Sequence, residues 1–560
     1  MNTTSYVRAG IALALCALGA RTMSACGSDS SAEGGASTPR FDAGTNGGGG
    51  GARSDAAAAA DVPLPPEVEE TRSFELPQAG SRYVYVANPR RDSVAVIDSR
   101  TLAIQTVEAG DAPTYLVTIP GRDAAIVVNV NSNTATILRT GDSGTRTANV
   151  PVVPGANAVA VAPGGARAVA FLDTSRPNRG IPAGSFQDIS VLFLEEGMER
   201  SIQLSVGFRP LSVSFSADGA RAFVITEDGV SILDLGSLTG PTIVPNVSLD
   251  DLRVRGEDGG VVDAGGGTAG AMTARDVSIT PDGRYALARV EGSPVLRLVD
   301  LNDRSARVLD VGGAVTDLDL SPDGTFALAV LRERSEVLRI PLPQGFTSPE
   351  TIRTLSLPGE LVGSVTIAPD GSRAIGYTTA VASERAVEIP LEGDGGPTAL
   401  RLRKTVRAVA FSPDSRAALI VHGASGGSPT EPGIDLETRI DRSFGYSLYD
   451  SATRFLKLQL TPADPGPSAL TPDGAYAFVL LRDDRSVTAP VAIAQRISLR
   501  SFTVSDIALG SPPQSVGAVP ETQRVFIGQE HPEGRITFVD WNTGALQSVT
   551  GFELNARVVQ

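Results

Sequence analysis

From residue 79 onward, short apolar runs alternate with compact polar breaks, and the spacing within each run is that of a strand. Runs such as LSVSFS (211–216), RAFVIT (221–226), TFALAV (325–330) and YAFVLL (476–481) are rich in β-branched and aromatic residues. One break recurs as PGR at 120–122, PGG at 163–165, ADG at 217–219, PDG at 281–283, 322–324 and 369–371, PDS at 413–415, PDG at 472–474 and PET at 520–522. It suits a tight hairpin: Pro presets φ, Asp accepts backbone N–H groups and Gly takes positive φ. A strand precedes each break and another follows it. A third often ends in Asp, as in SILDL (231–235), LRLVDL (296–301) and ITFVDW (536–541), and a more polar fourth closes the unit.

Successive breaks lie from 41 residues (281 to 322) to 64 residues (217 to 281) apart. Four short strands at such a period are the mark of a β-propeller blade, because one small sheet with two apolar faces must be stacked on neighbours to bury both. The first unit reads Tyr83-Val84-Tyr85-Val86-Ala87-Asn88, PRRD, Ser93-Val94-Ala95-Val96-Ile97-Asp98, Thr101 and VEAG, then Pro113 to Gly121. It resembles the YVTN-type β-propeller repeat, with Ala87 in place of the family Thr. The resemblance is specific over 83–121 and degenerate beyond. The fold class expected is all-β, a propeller of four-stranded antiparallel blades with about ten units, preferably one large ring, two smaller propellers being the alternative. The unit that starts at Tyr83 lacks a first strand, and the C-terminal piece Phe552-Glu553-Leu554 through Val558-Val559 is expected to supply it.

Before residue 79 the pattern changes. Residues 9–20 (AGIALALCALGA) form an apolar run suited to a signal peptide (1–25) and too short to span a bilayer. Met23-Ser24-Ala25-Cys26 resembles a bacterial lipobox, which implies lipidation at Cys26, although Met23 stands for the usual Leu and Arg21 interrupts the approach. Residues 26–78 are Gly/Ala/Ser/Pro-rich and read as a disordered tether, roughly 50 residues reaching about 40 Å root-mean-square. The implied address is an exported lipoprotein of a Gram-negative envelope, outer-membrane or periplasm-facing or at the cell surface, without a transmembrane helix in the mature chain; the alternative is a cleaved, soluble secreted protein.

Strand parity gives a face. With strands a to d numbered outward from the axis, b–c and d–a connections share one face and the tight a–b turns the other. The long connections 173–188, 249–273, 422–445 and 482–496 all fall on the first, which suggests a binding surface. The glycine-rich 249–273 segment is expected to be disordered.

Composition narrows the chemistry. Lys+Arg is 48 against Asp+Glu 63, a net charge of −15, which argues against nucleic-acid binding. Lys404 and Lys457 are the only lysines, a bias that reads as genome base composition. Cys16 and Cys26 are the only cysteines, so the repeat region has no disulfide, zinc-thiolate or Cys nucleophile, and no C-x-x-C-H for haem. Gly141-Asp142-Ser143-Gly144 matches a fragment of a serine-protease motif but reads as a c–d turn, since no His lies near it. His422 and His531 end b strands on the long-connection face and read as surface histidines. Asp435, Glu437 and Asp441 lie in the same insertion as His422. Asp317 and Asp319 alternate along an inner strand, as a cation-binding pair or a solvated stripe. Asp258 and Asp263 lack calcium-loop spacing.

No catalytic residue, metal site or cofactor is expected. The functional expectation is a scaffold that binds an envelope protein or polymer through its insertion-bearing face, with His422, Asp435, Glu437, Asp441, Asp317 and Asp319 as face candidates. The alternatives are a hydrolase at the channel mouth, since some YVTN-like propellers are lactonases, and a purely structural envelope lipoprotein.

Overall fold

The structure is a computed structural model that describes residues 79–174, 185–249, 253–255, 261–263, 275–290, 292–393, 395–482 and 491–552. The expected signal peptide, Cys26, the tether, Asp258 and most of the C-terminal piece lie outside these residues. Within them, ten blade sheets follow one another along the chain, with one two-stranded ribbon besides. Nine have four strands in sequential a-b-c-d order, and the first, built on Tyr83–Asn88, Ser93–Asp98 and Ile104–Glu108, has three. All neighbouring strands in the blades are antiparallel, so each blade is a meander. The expected β-propeller is present.

Apolar residues on both faces of each b and c strand explain the ring. Strand Ala124–Asn129 is buried throughout; Ile126 and Val128 face the third blade while Ala125 and Val127 face the first. Ten separate apolar clusters result, each shared by two consecutive blades. The tenth joins Val519, Phe526 and Phe538 of the last blade to Val84, Ala95 and Ile97 of the first. Polar contacts reinforce this junction: Ser99 Oγ lies 2.8 Å from Thr522 Oγ1, and Glu521 N donates to Ser81 O at 2.9 Å. The molecule is therefore one ring of ten blades, not two propellers.

The tight turns behave as their chemistry requires. In the blades that carry S/T-x-D-G, the hydroxyl of Ser216, Thr280, Ser321 or Thr471 donates to the Asp two residues on, at 2.5–2.8 Å. That Asp accepts the backbone N–H two residues further along. The following glycine has positive φ and lies close to the preceding blade: a Cβ on Gly324 would be 2.5 Å from Pro281 Cδ. The Gly141–Gly144 segment is the two-residue c–d turn expected of it, with Asp142 paired to Arg82 at 2.9 Å.

Two features were not foreseen. Five a strands start with a register shift, at Pro113/Tyr115, Pro210/Ser212, Val406/Ala408, Pro465/Ser468 and Pro513/Ser515. Within 249–273, expected as disordered, Arg253–Arg255 and Val261–Asp263 pair as a short antiparallel ribbon.

The glycine turns provide a paired test. Gly324 and Gly371 share φ +71, but a Cβ on Gly371 would meet nothing within 4 Å. Gly324→Ala should cost about 2–3 kcal/mol, strain plus collision, and Gly371→Ala about 1 kcal/mol, in urea unfolding; equal costs would exclude inter-blade packing as the reason for Gly324.

Candidate functional site

By the antiparallel alternation, the b–c and d–a connections emerge on one face, as parity predicts. The connection between strand Ala417–His422 and strand Phe444–Asp450 is described whole, and it is a folded insertion. It contains a short helix, Leu436–Arg442, whose N-terminus is capped by Asp435 Oδ1 accepting from Thr438 N at 2.7 Å. Ser425 N donates to Asp441 O at 2.9 Å, and Arg442 pairs with Glu431. Leu436 is 66% exposed on this helix, while Ile440 is buried beneath it.

Lys404 holds the insertion down. It is only 2% exposed, and its Nζ donates to Ile440 O at 2.6 Å and Asp441 O at 3.0 Å. Burial lowers its pKa, and the nearby Asp441 and Glu384 carboxylates oppose that shift. The ammonium thus bonds the carbonyls at the C-terminal end of the helix, where the helix dipole favours a cation.

His422 corrects the expectation of a surface histidine: it is fully buried. Its Nδ1 lies 3.1 Å from Thr405 O and its Nε2 2.7 Å from Ser447 Oγ. The repeat explains why. Asn129 and Gln529 occupy the same end-of-b position in their blades, and their amides donate to Thr136 and Thr537 on strand c at 2.9 and 2.6 Å. His422 performs that structural role with a ring. Burial holds its pKa down at about 4, with help from the Lys404 charge, against the Thr405 hydrogen bond. His531 is half-exposed beyond strand Arg524–Gln529.

The remaining candidates also separate. Asp435 is the exposed cap, Glu437 is exposed 3.5 Å from Arg403, and Asp441 is exposed, its main-chain carbonyl accepting from Lys404. Among the described residues no group of three or more His, Cys, Asp or Glu could hold a metal ion.

Asp317 is neither a solvated residue nor a free ligand. It is buried, with Oδ1 accepting Leu318 N and Oδ2 accepting Val365 N, both at 2.7 Å. Its carboxylate therefore bridges the inner strands of two blades. Burial pushes its pKa up to about 6, although both amides and Arg289 favour the charged form. Asp319 is half-buried.

The axial mouth on this face is lined by ion pairs that no sequence motif announces. Arg407 forks onto Asp464 at 3.0 and 2.7 Å, joining the inner strands of the eighth and ninth blades. Arg289 pairs with Asp276 at 2.5 Å and Arg209 with Glu227 at 2.5 Å.

No protein-family model matches the chain, and no curated protein matches it. Solved structures with similar folds include a dihydro-heme d1 dehydrogenase, NirN, in complex with DHE (15% identity, 67% of this chain and 76% of that one, TM-score 0.40). A eukaryotic initiation factor covers 84% of this chain and 96% of its own at 13% identity, TM-score 0.47. The hydrazine synthase of Kuenenia stuttgartiensis covers 61% and 95% at 15% identity, TM-score 0.32. Likenesses this distant carry no argument about chemistry, and the YVTN resemblance rests on the motif residues alone.

Lys404 and His422 can each be tested by substitution. Lys404→Met should leave the Ile440 and Asp441 carbonyls unpaired, cost about 1–3 kcal/mol, and speed proteolytic cleavage within 424–435; an unchanged cleavage rate would exclude the anchoring role. His422 is held neutral in the folded chain, so unfolded chains bind the extra proton as pH falls below about 6.5. It therefore contributes stability near pH 7 that is lost between about 6.5 and 4. His422→Gln, which copies the amide that Gln529 places at the equivalent position, should fold and lose less stability than wild type over that window, by about 2–3 kcal/mol. Parallel pH profiles would exclude it.

Proposed function

We propose that this chain is an exported, lipid-anchored propeller that works as a binding scaffold through the face carrying its long connections. The observation that carries the reading is the folded insertion of the eighth blade: a capped helix, pinned by Lys404, that holds Leu436 out to solvent. An ordered apolar side chain among charges (Arg403, Asp435, Glu437, Arg439) is the composition of a protein-binding surface more than of a polymer groove. Export and anchoring rest on the N-terminal sequence, and the partner is taken to be an envelope protein. Among the described residues no helix is long and apolar enough to cross a membrane.

The hydrolase alternative would need acids other than Asp317, since both of its oxygens are engaged by backbone amides. The test is a native pull-down with mass spectrometry from the source cell envelope. Leu436→Asp should lose the captured protein at least tenfold while the melting temperature stays within about 1 °C, as an exposed site allows. Equal recovery by the variant would remove the insertion from the interface.

A further inference from the structure

The outer strand of the eighth blade, Phe455–Thr461, differs in kind from other outer strands of the ring. Those at Ile104–Glu108, Val504–Ala508 and Leu546–Thr550 turn exposed polar side chains to solvent, Thr106, Asp506 and Gln547 among them. Phe455–Thr461 reads FLKLQLT, and its one exposed residue is Phe455, at 55%.

The lysine of this strand does not guard it. A charged side chain standing off an outer strand is a common defence against edge-to-edge pairing. Here Lys457 Nζ folds back to donate to Phe502 O of the ninth blade at 2.7 Å. Phe455 stacks on the Phe502 ring, with centroids 6.1 Å apart.

The strand's main-chain groups have a readable direction. A Cβ on Gly445 would lie 2.5 Å from Gln459 O, so that carbonyl is turned inward, toward Phe444–Asp450. By antiparallel alternation, the N–H and C=O groups of Leu456, Leu458 and Leu460 are turned outward. Gln459 Nε2 donates to Leu460 O at 3.0 Å, a side chain standing where a strand could bond. Another outer edge of the ring already accepts an added segment. Ser205, the last residue of Arg200–Ser205, donates to Thr242 O at 3.2 Å and accepts from Val244 N at 2.8 Å, with Ile243 alongside in the parallel sense.

We propose that Phe455–Thr461 pairs with the same strand of a second copy of this chain, antiparallel, about a two-fold axis at Leu458. The sequence is matched to itself in that register. Leu458 of each copy opposes Leu458 of the other, Leu456 opposes Leu460, Lys457 opposes Gln459 and Phe455 opposes Thr461. No like charges are opposed, and the leucines of both copies form one apolar stripe. Leu456, Leu458 and Leu460 are half-buried in the single chain, and pairing covers what remains. A two-fold contact of this kind is closed, since each copy uses the edge once. Antiparallel pairing also reverses one ring relative to the other, so the two insertion-bearing faces look in opposite directions. This inference does not depend on the scaffold reading.

The test uses the full chain with Cys16 and Cys26 replaced by Ser, so that association cannot run through a lipid or a native thiol. Sedimentation equilibrium should give a dimer at micromolar concentration. Leu458→Lys, which sets like charges across the axis, should raise the dissociation constant roughly tenfold or more. Leu458→Cys should form a disulfide-linked dimer on mild oxidation, because opposed Cα atoms of a hydrogen-bonded pair lie about 5.5 Å apart. Phe455→Cys, exposed but far from the axis, should not. The cross-link decides the matter if Leu458→Lys fails to fold. A monomer at every concentration, a dimer that Leu458→Lys leaves intact, or cross-linking at 455 as readily as at 458 overturns the proposal.

Discussion

A small sheet that is apolar on both faces cannot stay in water alone, and this sequence repeats that problem ten times. The solution is circular. Each blade buries one face on the unit before it and the other on the unit after it, so every interface is stable only because the next one exists. The last cluster, which joins Phe526 and Phe538 to Val84 and Ile97, completes a set that an open stack would leave with two wet ends. Some of the tight turns serve the same end, since those at Gly283 and Gly324 bring a glycine close enough to pack against the preceding blade.

The fold was legible because its signals are local. Strand alternation, the Pro-Asp-Gly breaks and the Asp that ends strand c lie within a few residues of one another, and each has one mechanical meaning. The face parity followed from antiparallel order alone. Burial was harder to read. His422 looks like a surface residue because it sits at a strand end beside a polar loop. Only the equivalence with Asn129 and Gln529, three blades' worth of the same position, shows that it belongs to the interior. Asp317 misled for a related reason: alternation placed it beside the axis, but the amide of Val365 that claims it lies 48 residues away.

Lys404 stands out in the composition, but its role does not. Lys404 and Lys457 are the only lysines among 48 cationic side chains, and both put the ammonium on main-chain carbonyls, Ile440 and Asp441 in one case and Phe502 in the other. A compact three-donor head suits that task better than a planar fork. The composition held the clue, but only the fold of the insertion gives it a meaning.

The register shifts at the starts of the inner strands all occur at the same end of those strands. An extra residue there bends a strand and tightens its twist. With five of the nine described inner strands so bent, the central opening is not a uniform cylinder. Its two ends have different shapes, and anything threaded along the axis would meet bent strand ends and paired charges at one end and tight, Asp-organised turns at the other.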